Sequence, residues 1–293
     1  MIAIITEFSN LICAMASQEK NSSKYWLDKA NELYRLGVYE EAAEAYEKAI
    51  GLDPQNTELW NSKGLALCCQ GQLERAMECF EQALKIDPNY TDALNNRGVV
   101  LYRQKRFEEA IGCFDQIIAT APNYARAWYN KGVVLGKMGD YGEAVAHYDR
   151  AIEMNPQRPK AWNNKGAALG NLGRYDEAIK CFEKAAALNP ENAEAWNNIG
   201  TGLAKLGRYE EAVMYFDLAI EINQGYTEAW YSKGEALRRL ERYEEAIEYF
   251  EKAIEIDPHH SKARSGKGLA LRSLDRYDEA EASFPEGGDL LMD

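Results

Sequence analysis

The chain has 293 residues, is 46% hydrophobic and carries a net charge of −13. That acidity excludes nonspecific nucleic-acid binding, which needs a basic surface. No run of about 18 apolar residues occurs, which excludes an apolar helix spanning a membrane.

Residues 1–22 lie outside the repeating pattern that fills most of the chain. Ile2, Ile5, Phe8, Leu11, Ile12 and Met15 have helical spacing and suit a capping helix over the first folded unit. A secretory signal with Ala14-Met15-Ala16 as cleavage site is the poorer reading. No Lys or Arg precedes its apolar part, and Glu7 interrupts it. A start at Met15 is a third reading.

From residue 23 the chain repeats itself every 34 residues. Trp60, Trp128, Trp162, Trp196 and Trp230 each stand four residues before a glycine, at 64, 132, 166, 200 and 234. Pro54, Pro88, Pro122, Pro156, Pro190 and Pro258 keep the same period. Numbering each unit from three residues before its Trp gives repeats 23–56, 57–90, 91–124, 125–158, 159–192, 193–226, 227–260 and a shortened 261–284. A fixed period of this length means units that each contact only their neighbours, not one central core.

Within 159–192, the apolar residues Ala161, Trp162, Ala168, Leu169 and Leu172 show helical spacing. So do Tyr175, Ala178, Ile179, Phe182, Ala185 and Leu188. Gly173-Arg174 is the turn between these two predicted helices, A and B, and Pro190 stops the second. Small Gly166 and Ala178 let A and B approach, and Trp162 and Phe182 fill the space between them and toward the next unit. After Phe284, Pro285-Glu286-Gly287-Gly288 breaks the last B helix, leaving 285–293 as a tail. Leu290, Leu291 and Met292 fold back over that end, or the end docks on another chain, or the sequence is a truncated product.

Chemistry has few footholds. No P-loop, GxSxG or HExxH motif occurs, and the three histidines make no credible metal set. The six cysteines contain no CxxC pair, and Cys79, Cys113 and Cys181 share one repeat position. They read as buried, reduced thiols of a cytoplasmic protein. Paired acids such as Glu108-Glu109, Glu210-Glu211 and Glu244-Glu245 mimic acid–base dyads. They recur at the start of the B helices, where they complement the helix dipole. No cofactor is expected.

The pattern W-x2-L-G-x2-Y…A-x3-F…P resembles the tetratricopeptide repeat. It is carried, for example, by Trp196, Gly200, Leu203, Ala212, Phe216 and Ala219. The resemblance covers about nine tenths of the chain. Local departures are Ala30 for glycine, Leu94 and Arg264 for tryptophan, and Gln224 for the closing proline. It implies an all-α, right-handed α-solenoid superhelix of helix-turn-helix repeats, with the A helices lining a concave groove through positions 2, 5, 6, 9, 12 and 13.

Position 6 carries Asn96, Asn130, Asn164 and Asn198. Position 5 carries Asn61, Asn95, Asn163 and Asn197, with Tyr129 and Tyr231 in other units. Each amide offers donors and an acceptor, so a ladder of them suits the backbone of an extended peptide. The ladder is similar to that of O-linked N-acetylglucosamine transferases. Asparagine at position 6, common in that family, also has a structural reading, satisfying backbone groups or water between A helices. Arg126 and Lys160 stand at position 2, and the groove positions together carry eleven basic and six acidic residues. A basic groove in an acidic chain favours acidic or mixed polypeptides. The carboxylate clamp of chaperone-binding relatives is not expected, because Leu27 stands where its lysine belongs, beside Asn31.

These readings converge on a non-catalytic scaffold or adaptor that binds other proteins or peptides and neither nucleic acid nor membrane. The alternatives are a substrate-recruiting fragment of a glycosyltransferase-type enzyme and a module that self-associates through its C-terminal end.

Overall fold

The computed structural model describes residues 22–283. The capping helix expected before residue 22 and the tail after residue 283 lie outside the described residues. Sixteen helices and no strand occur among the described residues. They divide into two compact units, residues 1–134 and 135–293.

The first unit holds α1 (Ser23–Arg35), α2 (Tyr39–Leu52), α3 (Thr57–Cys69), α4 (Leu73–Ile86), α5 (Thr91–Arg103), α6 (Phe107–Thr120) and the start of α7 (Ala125–Met138). The second continues through α8 (Tyr141–Met154), α9 (Pro159–Asn171), α10 (Tyr175–Leu188), α11 (Ala193–Lys205) and α12 (Tyr209–Ile222). It ends with α13 (Thr227–Arg239), α14 (Tyr243–Ile256), α15 (Ser261–Ser273) and α16 (Tyr277–Ser283). Odd-numbered helices are the A helices and even-numbered ones the B helices. In the first unit α1 to α6 each pack on the next in sequence, and in the second α8 to α16 do the same; A helices also touch the following A helix, as α3 does α5 and α11 does α13. This is the local architecture of an α-solenoid.

Sequence explains where each helix starts and stops. Asn56 caps α3 by accepting from the backbone N–H of Glu58 and Leu59, and Asn192 caps α11 from Glu194. The B helices α2, α4, α6, α8, α10, α12 and α14 lack a side-chain cap. Acids in their first turn serve the dipole instead. The residue before four of them is an arginine that grips the second acid: Arg106–Glu109, Arg174–Glu177, Arg208–Glu211 and Arg242–Glu245, with Arg276–Glu279 at α16. These bidentate bonds hold the five glutamates below the usual carboxylate range. Every A helix ends on a left-handed residue: Gly37, Gly71, Gly139, Gly173 and Gly207, but Lys105, Glu241 and Asp275 in the other three. The chain then reverses through a bond such as Arg174 N–H to Leu169 C=O, 3.0 Å.

Inside five of the eight hairpins a phenylalanine ring lies close against a glycine. A Cβ on Gly166 would come within 2.6 Å of Phe182, and one on Gly200 within 2.6 Å of Phe216. Gly64–Phe80, Gly98–Phe114 and Gly234–Phe250 repeat the contact. The first repeat pairs Ala30 with Tyr46, whose hydroxyl donates to Asn31 Oδ1 at 2.6 Å. The tryptophans act differently from the phenylalanines. From Trp60 onward each indole N–H donates to a carbonyl six residues back, in the loop that closes the preceding repeat. Trp60 reaches Pro54, Trp162 Pro156 and Trp196 Pro190, each at 2.9 Å. The acceptor is backbone, so Gln224 serves Trp230 equally, at 2.8 Å.

Two substitutions test these local rules. Gly166→Leu forces side-chain volume into the Phe182 ring and should cost at least about 1–3 kcal/mol. An unchanged thermal melt would contradict the contact. Glu241→Gly relieves a left-handed backbone that a Cβ disfavours by about 1 kcal/mol, so its urea midpoint should rise above that of the parent.

Candidate functional site: the A-helix face

Three sets of polar bonds link successive A helices to what precedes them. The indole bonds are the first. The second joins a lysine at position 7 to an acid at position 25 of the previous repeat. Lys131–Asp115 lies at 2.6 Å, Lys165–Asp149 at 2.5 Å, Lys233–Asp217 at 2.5 Å and Lys267–Glu251 at 2.7 Å, with Lys63–Glu47 equivalent. Lys233 is the most buried of these, 6% exposed, and also donates to the Tyr249 hydroxyl at 2.7 Å.

The third set is the asparagines. Asn96 Nδ2 donates to Asn61 Oδ1 at 2.9 Å, Asn130 to Asn95 at 2.8 Å, and Asn198 to Asn163 at 3.1 Å. Position 6 of one repeat thus reaches back to position 5 of the repeat before. Asn61, Asn95 and Asn197 are buried, at 6%, 6% and 4% exposure. The position-5 amides therefore sit between A helices. Asn163 is half-buried and donates its own amide to Glu194 Oε1 at 3.1 Å. Asn96, Asn130, Asn164 and Asn198 are half-buried, which leaves part of each on the A-helix face.

The ladder is not uniform. Asn197 Oδ1 has no hydrogen-bond partner, because the next repeat carries Ser232 in place of asparagine. A buried unpaired acceptor of this kind costs about 1–3 kcal/mol.

The remaining sequence-derived residues separate. Arg126 is exposed and bonds the hydroxyl of Tyr124, and Lys160 is exposed. Tyr129 is half-buried on α7. Tyr231 is half-buried with its ring 5.1 Å from His260 and 6.1 Å from Phe250, and burial pushes its hydroxyl pKa up.

The two units present different surfaces on this face. In the first, Leu65, Cys68, Cys69, Val99 and Arg103 line a mostly apolar cleft with Asn96. In the second, Thr201, Lys205, Tyr231, Ser232, Arg239 and Lys262 line a charged one. Position 9 carries part of this contrast, with Leu65 and Val99 in the first cleft against Thr201 and Glu235 in the second, and a charge count summed over the whole groove does not separate the two halves. Cys79, Cys113 and Cys181 are buried and free, and burial raises their thiol pKa, that of Cys79 to about 11. They stay protonated packing groups. Among the described residues no cluster of three metal-ligating side chains occurs, and no helix is long and apolar enough to cross a membrane.

Stacked helical hairpins clasped by recurring indole, lysine and asparagine bonds define an α-repeat scaffold. The tetratricopeptide repeat family model matches residues 91–124, 125–158, 159–192, 193–226 and 227–260, and a TPR repeat model matches 30–68 and 64–105. The chain belongs to the tetratricopeptide repeat family. No curated protein matches it. Among solved structures it is similar to YrrB, described as a TPR protein with an unusual peptide-binding site. The two are 28% identical with TM-score 0.55, over 65% of this chain and 98% of that one. It is also similar to PilW, a type IV pilus biogenesis factor, at 27% identity and TM-score 0.65 over 71% and 96%. Pseudomonas aeruginosa pilF, at 20% identity and TM-score 0.65 over 74% and 99%, shares the fold.

The asparagine clasp makes a direct prediction. Asn130→Ala leaves Asn95 Oδ1 buried without its donor and should lower stability by about 1–3 kcal/mol. Adding Asn95→Leu removes the stranded acceptor, so the double variant should recover part of that loss in urea denaturation.

Proposed function

We propose that this protein is a non-catalytic scaffold that binds an extended polypeptide along its A-helix face. The observation that carries the reading is the side of the A helices on which polar groups meet solvent. Most buried polar groups between repeats bond one another, while half-buried Asn96 and Asn130 in the first unit, half-buried Asn164 and Asn198 in the second, and exposed Arg126, Lys160, Lys205 and Lys262 keep polar surface of the A helices open to solvent. A row of amides one repeat apart matches the regular donors and acceptors of an extended backbone. Exposed cations in a chain of net charge −13 favour a segment that carries acids. Tetratricopeptide proteins generally mediate contacts between proteins, and the similarity to a peptide-binding member, YrrB, supports the same reading. The compartment that suits the reduced, buried thiols is the cytoplasm.

Site-specific photo-cross-linking tests the face. A benzophenone side chain placed at Lys160 or Thr201 should trap partner polypeptide in the native host. The same group at Lys180 or Met214 on the B-helix side should trap little. Adducts of equal or greater yield at Lys180 and Met214 would place binding on the other surface and remove the proposal.

A further inference from the structure

The cleft between α3 and α5 in the first unit is apolar where the fold does not require it to be. Leu65 and Cys68 of α3 and Val99 and Val100 of α5 form its walls, and of these only Val100 is fully buried. Leu65 and Val99 stand at position 9. Other repeats fill that position with Asn31, Thr201 and Glu235, so the stack accepts a polar residue there. The apolar choice leaves hydrocarbon facing water, which is unfavourable until something covers it. The cleft measures about 190 Å³. An apolar cavity of about 150 Å³ takes up a benzene molecule, so this space suits one phenylalanine side chain.

A single charge stands at the mouth. Arg103, in the last turn of α5, lines the cleft, is exposed and forms no ion pair among the described residues. Its charge is felt on the cleft wall: burial raises the Cys68 thiol pKa, and Arg103 opposes that rise. The helix dipole favours a cation at this end of α5 but leaves the five guanidinium donors to water. No carboxylate lines the cleft. Asn96 at its edge already donates to Asn61 and accepts from Asn95 Nδ2 at 3.3 Å.

We infer that this cleft is a subsite for a phenylalanine side chain of an extended polypeptide that carries an aspartate or glutamate close by in sequence. The ring fills the space between Leu65 and Val99, and the carboxylate meets Arg103. The inference rests on the peptide-binding reading and deepens it, since it names the residue chemistry that the first unit selects. In an extended segment, side chains two residues apart lie on one face, roughly 7 Å from each other. Val99 and Arg103 are about one helical turn apart, roughly 5–6 Å along α5. An acid two residues from the ring therefore comes within reach of the arginine.

Cys69 gives a local readout, because it is exposed on the cleft rim with its sulfur 3.6 Å from the Tyr34 hydroxyl. Three labelled nonapeptides of serine and glycine are compared by fluorescence polarisation with the whole chain. The first has a central Phe and an Asp two residues to either side, the second has Ala for Phe, and the third has Asn for both Asp. The first should bind about tenfold more tightly than the second and about threefold more tightly than the third. It should also slow alkylation of Cys69 by iodoacetamide, followed by mass spectrometry. Val99→Phe fills the cleft from within and should abolish the advantage of Phe over Ala. Leu65→Thr with Val99→Thr, a polar choice that the fold already accepts at position 9, should do the same if the first variant fails to fold. Arg103→Gln should abolish the advantage of Asp over Asn and keep that of Phe. Failure of the first peptide to bind, equal binding of the Phe and Ala peptides, or unchanged alkylation of Cys69 overturns the inference. So does a Cys69 already protected before peptide is added, since the chain or a second copy of it would then fill the cleft. Absence of the Phe preference with cross-linking at Lys160 and Thr201 intact would strike this subsite alone, whereas absent cross-links there would strike the reading beneath it.

Discussion

The close contact between a phenylalanine ring and a glycine backbone sets the geometry of five of the eight hairpins. With no Cβ at Gly64, Gly98, Gly166, Gly200 or Gly234, the B helix carries its ring directly against the A helix. Burying such a ring contributes roughly 1.5–3 kcal/mol, and the close approach fixes how far apart the two helices run. Everything on the outer side of the A helices inherits its spacing from this contact. It is why one side chain per repeat, such as a position-6 asparagine, recurs on the same face at regular intervals.

A second constraint grows out of the first. Two helices packed this way still expose apolar and polar surface to the next repeat, and that surface is covered only by stacking. The molecule meets the polar part with pairs of its own residues: indole to loop carbonyl, lysine to the acid sixteen residues earlier, asparagine to the asparagine of the previous repeat. The lysine pairs are mixed in weight. Their acids are about half exposed, so solvent screens most of them. Lys233, nearly enclosed between Asp217 and Tyr249, is the exception. A side chain used in these bonds is not available to a ligand, which narrows the functional face far below what repeat position alone suggests.

The periodicity of Trp, Gly and Pro is sufficient to read helix pairs, their turns and their stacking from sequence, because those residues report backbone requirements that recur. Gly173 marks a left-handed turn and Phe182 marks a buried ring wherever they stand. Side-chain pairing is less legible. Asn95 and Asn130 are readable as neighbours on one face, yet their bond to each other depends on the rise between repeats. The signal is nonetheless present within this single chain. Asn61, Asn95 and Asn163 are each followed, in the next repeat, by an asparagine at position 6, and Leu27 is followed by Ser62, where no amide is required. Position 7 and position 25 keep opposite charge in the same manner. The departure of Lys105, Glu241 and Asp275 from glycine at the turn carries no such signal, since the backbone there is left-handed regardless.

Rungs of this ladder carry a division of labour. Where both asparagines are present, the bond holds two repeats in register and leaves only part of an amide exposed. Where one is missing, register is left to the ring contacts, the indole bonds and the lysine pairs, and Phe250 illustrates the first of these. Its ring lies against Gly234 of its own hairpin and against Gly266 of the next, where an added Cβ would come within 2.8 and 2.6 Å. The stretch around α13 and α15 therefore keeps its packing without an amide clasp, while Lys233, Lys267 and Glu235 stay in ion pairs.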